Sequence, residues 1–313
     1  MDSTPSEPWN TYRKVNINHM SYNQDFSLFV LATSRGYRVF DAKSFVSVCK
    51  VDDYHEIIGD LSLANTLFKS QLIYFVGNED NITYTKSQLV IWDDIRKTKI
   101  GMLFLKDSII NFYLTKNLLL ILSGNKILIF ENLSLKFITK FENLNMNEKL
   151  FSVSQNEIIA YNTIKKKNCV YVKQFFFDKF KINGIRTNEI DTGFKDIQAI
   201  SLSKKGTQLV VASVFGNKLH IYDIDGECNL RLCLFTGNQI VSVDNLCFSP
   251  KKEKYICYIS ESRKIQIFPI KNNFENNFKC FCDQHDDEEL LGKKTKTENS
   301  KSFFGLFGNV IYT

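Results

Sequence analysis

The chain has 313 residues, of which 44% are hydrophobic, 24% charged and 13% aromatic. These are globular proportions and exclude wholesale disorder; with only 14 glycines and 4 prolines, collagen-like and linker-rich chains are excluded as well. The formal net charge is +6, but Lys supplies 33 of the 40 basic residues and Arg only seven. Arg is the usual group for bidentate phosphate recognition, and Lys is a more diffuse point charge. Abundant Lys, Asn, Ile and Phe point to AT-rich coding, and no nucleic-acid partner is expected.

In chain order, residues 1–10 are polar and read as a flexible N-terminus without the features of a signal peptide. Short runs rich in Ile, Val, Phe and Tyr then alternate with polar breaks, at 28–32, 71–76, 118–122, 127–130, 209–212, 219–222 and 265–268. Such β-branched and aromatic runs predict strands, and no segment keeps a helical stripe for a dozen residues. No apolar run approaches the ~18 residues of a transmembrane helix. A cytoplasmic protein is expected.

One unit recurs: a polar turn, then a strand ending in aliphatic–aromatic–acid. It reads Gly36-Tyr37-Arg38-Val39-Phe40-Asp41, Gln88-Leu89-Val90-Ile91-Trp92-Asp93, Lys126-Ile127-Leu128-Ile129-Phe130-Glu131 and Lys218-Leu219-His220-Ile221-Tyr222-Asp223. A last copy, Lys264-Ile265-Gln266-Ile267-Phe268, lacks the acid. The aromatic positions are separated by 52, 38, 92 and 46 residues, so a weaker copy is expected near residue 175, over Cys169–Val172 and Phe175–Asp178. A 40–50-residue period with this ending is the mark of a WD-type β-propeller built from four-stranded blades. The predicted class is therefore all-β, with about six blades countable and the last one incomplete or missing. The propeller is placed at 11–270. Residues 271–313 read as a polar, partly disordered loop or tail ending in an apolar segment.

Eight cysteines are scattered, with no CxxC pair, and most fall in apolar runs and read as small core residues. Cys280 and Cys282 stand beside His285 without a second ligand pair, so no metal is expected. The four histidines are far apart in sequence, and there is no Gly-rich phosphate loop, HExxH or GxSxG. Neither an enzyme nor a cofactor is expected.

Four segments resemble the PROPPIN family, seven-bladed propellers that bind phosphoinositides and serve autophagy. Asn23-Gln24-Asp25-Phe26 through Ala32-Thr33 is similar to the family's opening, and Leu89-Val90-Ile91-Trp92-Asp93-Asp94 to its second blade, although Asn78 and Glu79 stand where glycines are usual. Ser108-Ile109-Ile110 with 118–122 and 126–130 resembles the third blade. Leu202 to Thr207, then Val211-Ala212-Ser213 and Ile221-Tyr222-Asp223, resembles the fifth. The resemblance covers about residues 17–270. It implies a seven-bladed ring and a lipid site at the entry of the sixth blade, where adjacent arginines each serve one headgroup.

That motif falls on Leu234-Phe235-Thr236-Gly237-Asn238, so Phe235 and Thr236 occupy the arginine positions. Of the supporting positions, Ser213 is kept, Asn217 replaces a Thr and His220 an Arg; acid pH is expected to charge His220. Lys195, Lys218 and Arg231 are candidate substitute cations. In the tail, Lys293, Lys294 and Lys296, followed by Phe303, Phe304, Leu306 and Phe307, suit an interfacial anchor.

The resemblance implies a monomeric, non-enzymatic scaffold with autophagy-machinery partners, lying peripherally on autophagic, endosomal or vacuolar membranes. Binding to phosphatidylinositol 3-phosphate or 3,5-bisphosphate would be weak or rerouted. The alternative is a WD-type protein adaptor with no membrane role.

Overall fold

The structure is a computed structural model describing residues 15–50, 58–145, 147–178, 181–215, 217–236, 242–250 and 253–270. The expected N-terminal segment 1–10 and tail 271–313 lie outside these residues.

Six antiparallel sheets follow one another along the chain. The first holds β1 (Ile17–Tyr22), β2 (Leu28–Thr33), β3 (Gly36–Asp41) and β4 (Ser47–Lys50). The second holds β5 (Leu61–Thr66), β6 (Leu72–Gly77), β7 (Gln88–Asp93) and β8 (Thr98–Phe104). The third holds β9 (Ile109–Leu114), β10 (Leu118–Ser123), β11 (Lys126–Glu131) and β12 (Phe137–Glu142). The fourth holds β13 (Phe151–Val153), β14 (Ile158–Asn162), β15 (Cys169–Asp178) and β16 (Lys181–Asp191). The fifth holds β17 (Ile197–Leu202), β18 (Gln208–Ser213), β19 (Lys218–Asp223) and β20 (Asn229–Phe235). The sixth has three described strands, β21 (Val243–Phe248), β22 (Tyr255–Ser260) and β23 (Ile265–Pro269). Every sheet takes its strands in sequence order, as WD-type propeller blades do. The chain divides into two compact units: 1–114 with 121–124 and 133–136, and the remainder. The first unit carries sheets one and two, the second carries sheets four to six, and the strands of sheet three are divided between them.

Burial explains which runs were easiest to read as strands. The second strand of a sheet lies between two neighbours and is covered on both faces. All six residues of β10 are buried, as are the last five of β6 and β18 and all five of β14. They are therefore near-continuous apolar runs rather than alternating ones. Outer strands such as β8 and β12 have no buried residue and carry a weaker signal.

The repeated aromatic–acid ending has two physical causes. At Phe40, Trp92, Phe130 and Tyr222 the register of the third strand against the fourth shifts by one residue, so each aromatic marks a bulge. The acid then closes the turn. The Asp41 carboxylate accepts from the backbone N–H of Lys43 and Ser44, and that of Asp93 from Ile95 and Arg96, at 2.9–3.0 Å. The fourth sheet departs from the expected copy. β15 is its third strand, but the pairing of Ile158 and Ile159 with Gln174 and Lys173 puts Lys173-Gln174 in the aromatic–acid register. Phe175–Asp178 lies beyond, in a β15–β16 overhang whose bulge is displaced to Phe176/Phe177.

The family-like opening is a clamp within the first unit. Asn23 accepts from the N–H groups of Ser27 and Leu28 and donates to the Phe68 carbonyl at 3.0 Å. Gln24 donates to the Thr66 carbonyl and accepts from the Phe68 N–H. These two amides tie the β1–β2 turn to the β5–β6 turn. Gly77 is equally constrained: a Cβ there would lie 1.7 Å from the Tyr84 carbonyl oxygen.

Of the described cysteines, Cys169 and Cys228 are buried, Cys49, Cys233 and Cys257 half-buried, and Cys247 exposed. Cys280 and Cys282 lie outside the described residues. Among the described residues no helix is long and apolar enough to cross a membrane, and no cluster of three metal-ligating side chains forms.

Candidate functional site on the fifth sheet

The sequence-derived candidates gather on the fifth sheet, in the second unit, but not at one point. The β18–β19 turn brings together Ser213, Asn217 and Lys218, and the end of β20 adds Phe235 and Thr236. Lys218 is the direct cross-strand partner of Phe235, and the Thr236 N–H donates to the Asn217 carbonyl at 3.1 Å. The Val214 N–H donates to the Asp196 carbonyl at 3.0 Å, which places the Lys195–Asp196 backbone beside the same turn. Gly237 and Asn238 lie outside the described residues, as do Lys293, Lys294, Lys296, Phe303, Phe304, Leu306 and Phe307.

The chemistry of this rim is mostly neutral. Ser213 is buried; its hydroxyl donates to Asn217 Oδ1 at 3.1 Å and accepts from the Lys218 N–H at 3.3 Å. Ser213 is therefore engaged in closing its own turn. Phe235 is 64% exposed, so its side chain offers the solvent a ring and no donor.

Two candidates are placed elsewhere. Arg231 Nη1 donates to Asp223 Oδ1 at 3.1 Å, at the opposite end of β19 from Lys218. Five residues of strand separate those ends, about 17 Å, so Arg231 adds no charge at the β18–β19 turn. His220 is inside the sheet packing. Its ring centroid is 4.1 Å from that of Phe194, and its Nδ1 lies 3.3 Å from the Tyr222 hydroxyl. Burial pushes its pKa down to about 4. The expected charging at acid pH is corrected accordingly: a desolvated imidazole stays neutral well below the usual histidine range.

The structure adds cations from the fourth sheet. Between β14 and β15 the chain carries Lys165, Lys166 and Lys167. Lys167 Nζ lies 3.8 Å from Asp196 Oδ2, which joins this turn to the Lys195–Asp196 entry segment. Lys166 Nζ donates to Glu189 Oε1 at 2.5 Å. The signal in the sequence was the lysine triplet in a turn between strands, but only the pairing of adjacent sheets shows that it shares an edge with Lys195. The site is thus a lysine-bearing rim with one exposed aromatic ring. It suits diffuse attraction to anionic surfaces more than stereospecific phosphate capture.

No family model matches the chain. SVP1-like protein 2 of Schizosaccharomyces pombe is 24% identical over 289 residues, covering 90% of this chain and 75% of that protein. Autophagy-related protein 18 of Dictyostelium discoideum is 24% identical over 260 residues, covering 82% and 66%. Among solved structures, Kluyveromyces lactis Hsv2 superposes with a TM-score of 0.72 at 17% identity, covering 83% of this chain and 76% of that one. The complex of KlAtg21 with the coiled-coil of AgAtg16 gives 0.62 at 19% identity, covering 82% of each chain. The meander blades and these similarities converge: the chain is similar in sequence to SVP1-like protein 2 and autophagy-related protein 18, and it shares the β-propeller fold of Hsv2.

Proposed function

We propose that this protein is a non-enzymatic PROPPIN scaffold in autophagosome formation and endomembrane trafficking whose lipid contact is weak and rerouted. Relatives named autophagy-related protein 18 support the pathway. The solved KlAtg21 complex supports a partner drawn from the autophagy machinery. The observation that carries the lipid reading is Phe235, exposed where the resembled family places an arginine, beside a Ser213 hydroxyl already engaged within its turn. Membrane attraction then rests on Lys165, Lys195 and Lys218 with the Phe235 ring at the interface, aided by the tail segment from Lys293 to Phe307. The protein works as a cytoplasmic monomer that reaches autophagic, endosomal or vacuolar membranes peripherally.

Vesicle flotation tests this reading. The full chain is expected to float with phosphatidylserine vesicles at low salt and to be released by salt, with little added by phosphatidylinositol 3-phosphate. The double variant Phe235→Arg, Thr236→Arg is expected to gain a phosphoinositide-dependent fraction. Tight, salt-resistant flotation that requires phosphatidylinositol 3-phosphate in the natural sequence would overturn the rerouted site. No flotation on any vesicle would favour the adaptor role without a membrane.

A further inference from the structure

The sixth sheet carries a paired-thiol feature unrelated to the rim. Cys247 on β21 and Cys257 on β22 are direct cross-strand partners, and Cys257 is in turn opposite Ile267 on β23. Partners in an antiparallel pair point to the same face, with Cα atoms about 4.5–5.5 Å apart. That falls inside the ~4.4–6.8 Å window that a disulfide spans without backbone movement.

The face they occupy is open. Cys247 is exposed, and Ile265 and Ile267 on the same face are 56% and 61% exposed. The opposite face, with Leu246, Phe248, Ile256 and Tyr258, is the one packed into the core. No other pair of described cysteines is in register across two strands: Cys233 faces His220 and Cys49 faces Val39.

We propose that Cys247 and Cys257 are a redox modification site, closing a reversible cross-strand disulfide by exchange with a small-molecule disulfide of the glutathione type. The Cys247 thiolate attacks one sulfur of the small disulfide. That S–S bond breaks and one small thiolate leaves, taking up the proton that Cys247 released. The Cys257 thiolate then attacks Cys247 Sγ, forming the new S–S bond and expelling the second small thiol, which takes the proton of Cys257. Two protein thiols are oxidised and one small disulfide is reduced to two thiols, so the exchange balances.

Desolvation by the neighbouring strands pushes both thiols up, Cys247 to about 11, even though the open face leaves part of each residue in water. The attacking thiolate is therefore scarce at neutral pH, and the exchange is slow there and quickens as pH rises.

The test uses the full chain and oxidised glutathione, read by non-reducing tryptic mapping. Trypsin cuts after Lys251 and Lys254, between the two cysteines, so their peptides stay joined only through the disulfide. The expected product is the 247–257 link, reversed by dithiothreitol and forming about tenfold faster per pH unit between pH 7 and 9. The variant Cys257→Ser is expected to stop at a glutathione adduct on Cys247. A wild-type chain that holds that adduct without closing the link, or that links either cysteine elsewhere, overturns the proposal. The pH dependence and the dithiothreitol reversal need no variant, so the outcome does not depend on the serine form folding.

Discussion

Arg231 and Asp223 form an ion pair 3.1 Å long across β19 and β20, at the end of the fifth sheet away from Lys218. The pair uses a cation that lies close in sequence to Phe235 and Thr236. Arg231→Ala is therefore expected to leave vesicle flotation unchanged, while Lys218→Ala lowers it. Both side chains of the pair are part-exposed, so the stability cost of Arg231→Ala should be at most about 1 kcal/mol, read from urea midpoints.

His220 gives the fifth sheet an acid-sensitive core. Its folded pKa, about 4, lies below the unfolded value of 6.5, so the unfolded chain takes up the proton first. Stability from this group is intact above pH 6.5 and declines as pH falls toward 4. The loss is on the order of 2 kcal/mol by pH 5. His220→Gln is expected to flatten that part of the pH–stability curve in urea titrations at pH 5 and pH 7.5. An unchanged acid slope would mean the imidazole is not desolvated.

The Asn23 amide serves three backbone groups at once, on Ser27, Leu28 and Phe68. Removing it strands buried donors and a carbonyl, each costing about 1 kcal/mol or more. Asn23→Ala should lower stability by roughly 2–4 kcal/mol by the same sum. Asn23→Asp keeps the acceptor and loses the donor to Phe68, so it should recover part of that loss.

Gly77 leaves no room for a methyl group, because the Tyr84 carbonyl sits where Cβ would go. Unlike the far end of a flexible side chain, a backbone oxygen cannot swing aside. Gly77→Ala is expected to cost about 3 kcal/mol or more, or to yield insoluble protein. Substitutions at neighbouring Asn78 should be milder. Circular dichroism melting of the purified variants distinguishes the two positions.

Much of the fold was legible because blades repeat a local rule. A strand covered on both faces must be apolar throughout, and a bulge followed by a capped turn must end in an aromatic and an acid. The fourth sheet escaped the rule because its β15–β16 hairpin overhangs the sheet, so Phe177-Asp178 imitates the ending four residues past the true register at Lys173-Gln174. A one-dimensional count of spacing has no access to pairing.

The same division holds for the site. The resemblance alone implies that Phe235 and Thr236 stand at the family's arginine positions, since a matched position needs no coordinates. Whether a nearby cation can stand in is a matter of distance and burial, and those exist only after folding. Strand direction carried Arg231 to the far end of the sheet, packing against Phe194 closed His220 off from water, and the pairing of adjacent sheets brought the Lys165–Lys167 turn to the rim. The sequence by itself determined the blade architecture, through strand runs and a repeated ending that obey local rules. The tertiary structure decided which charges face one another, because side chains distant along the chain meet only where strands pair and sheets pack.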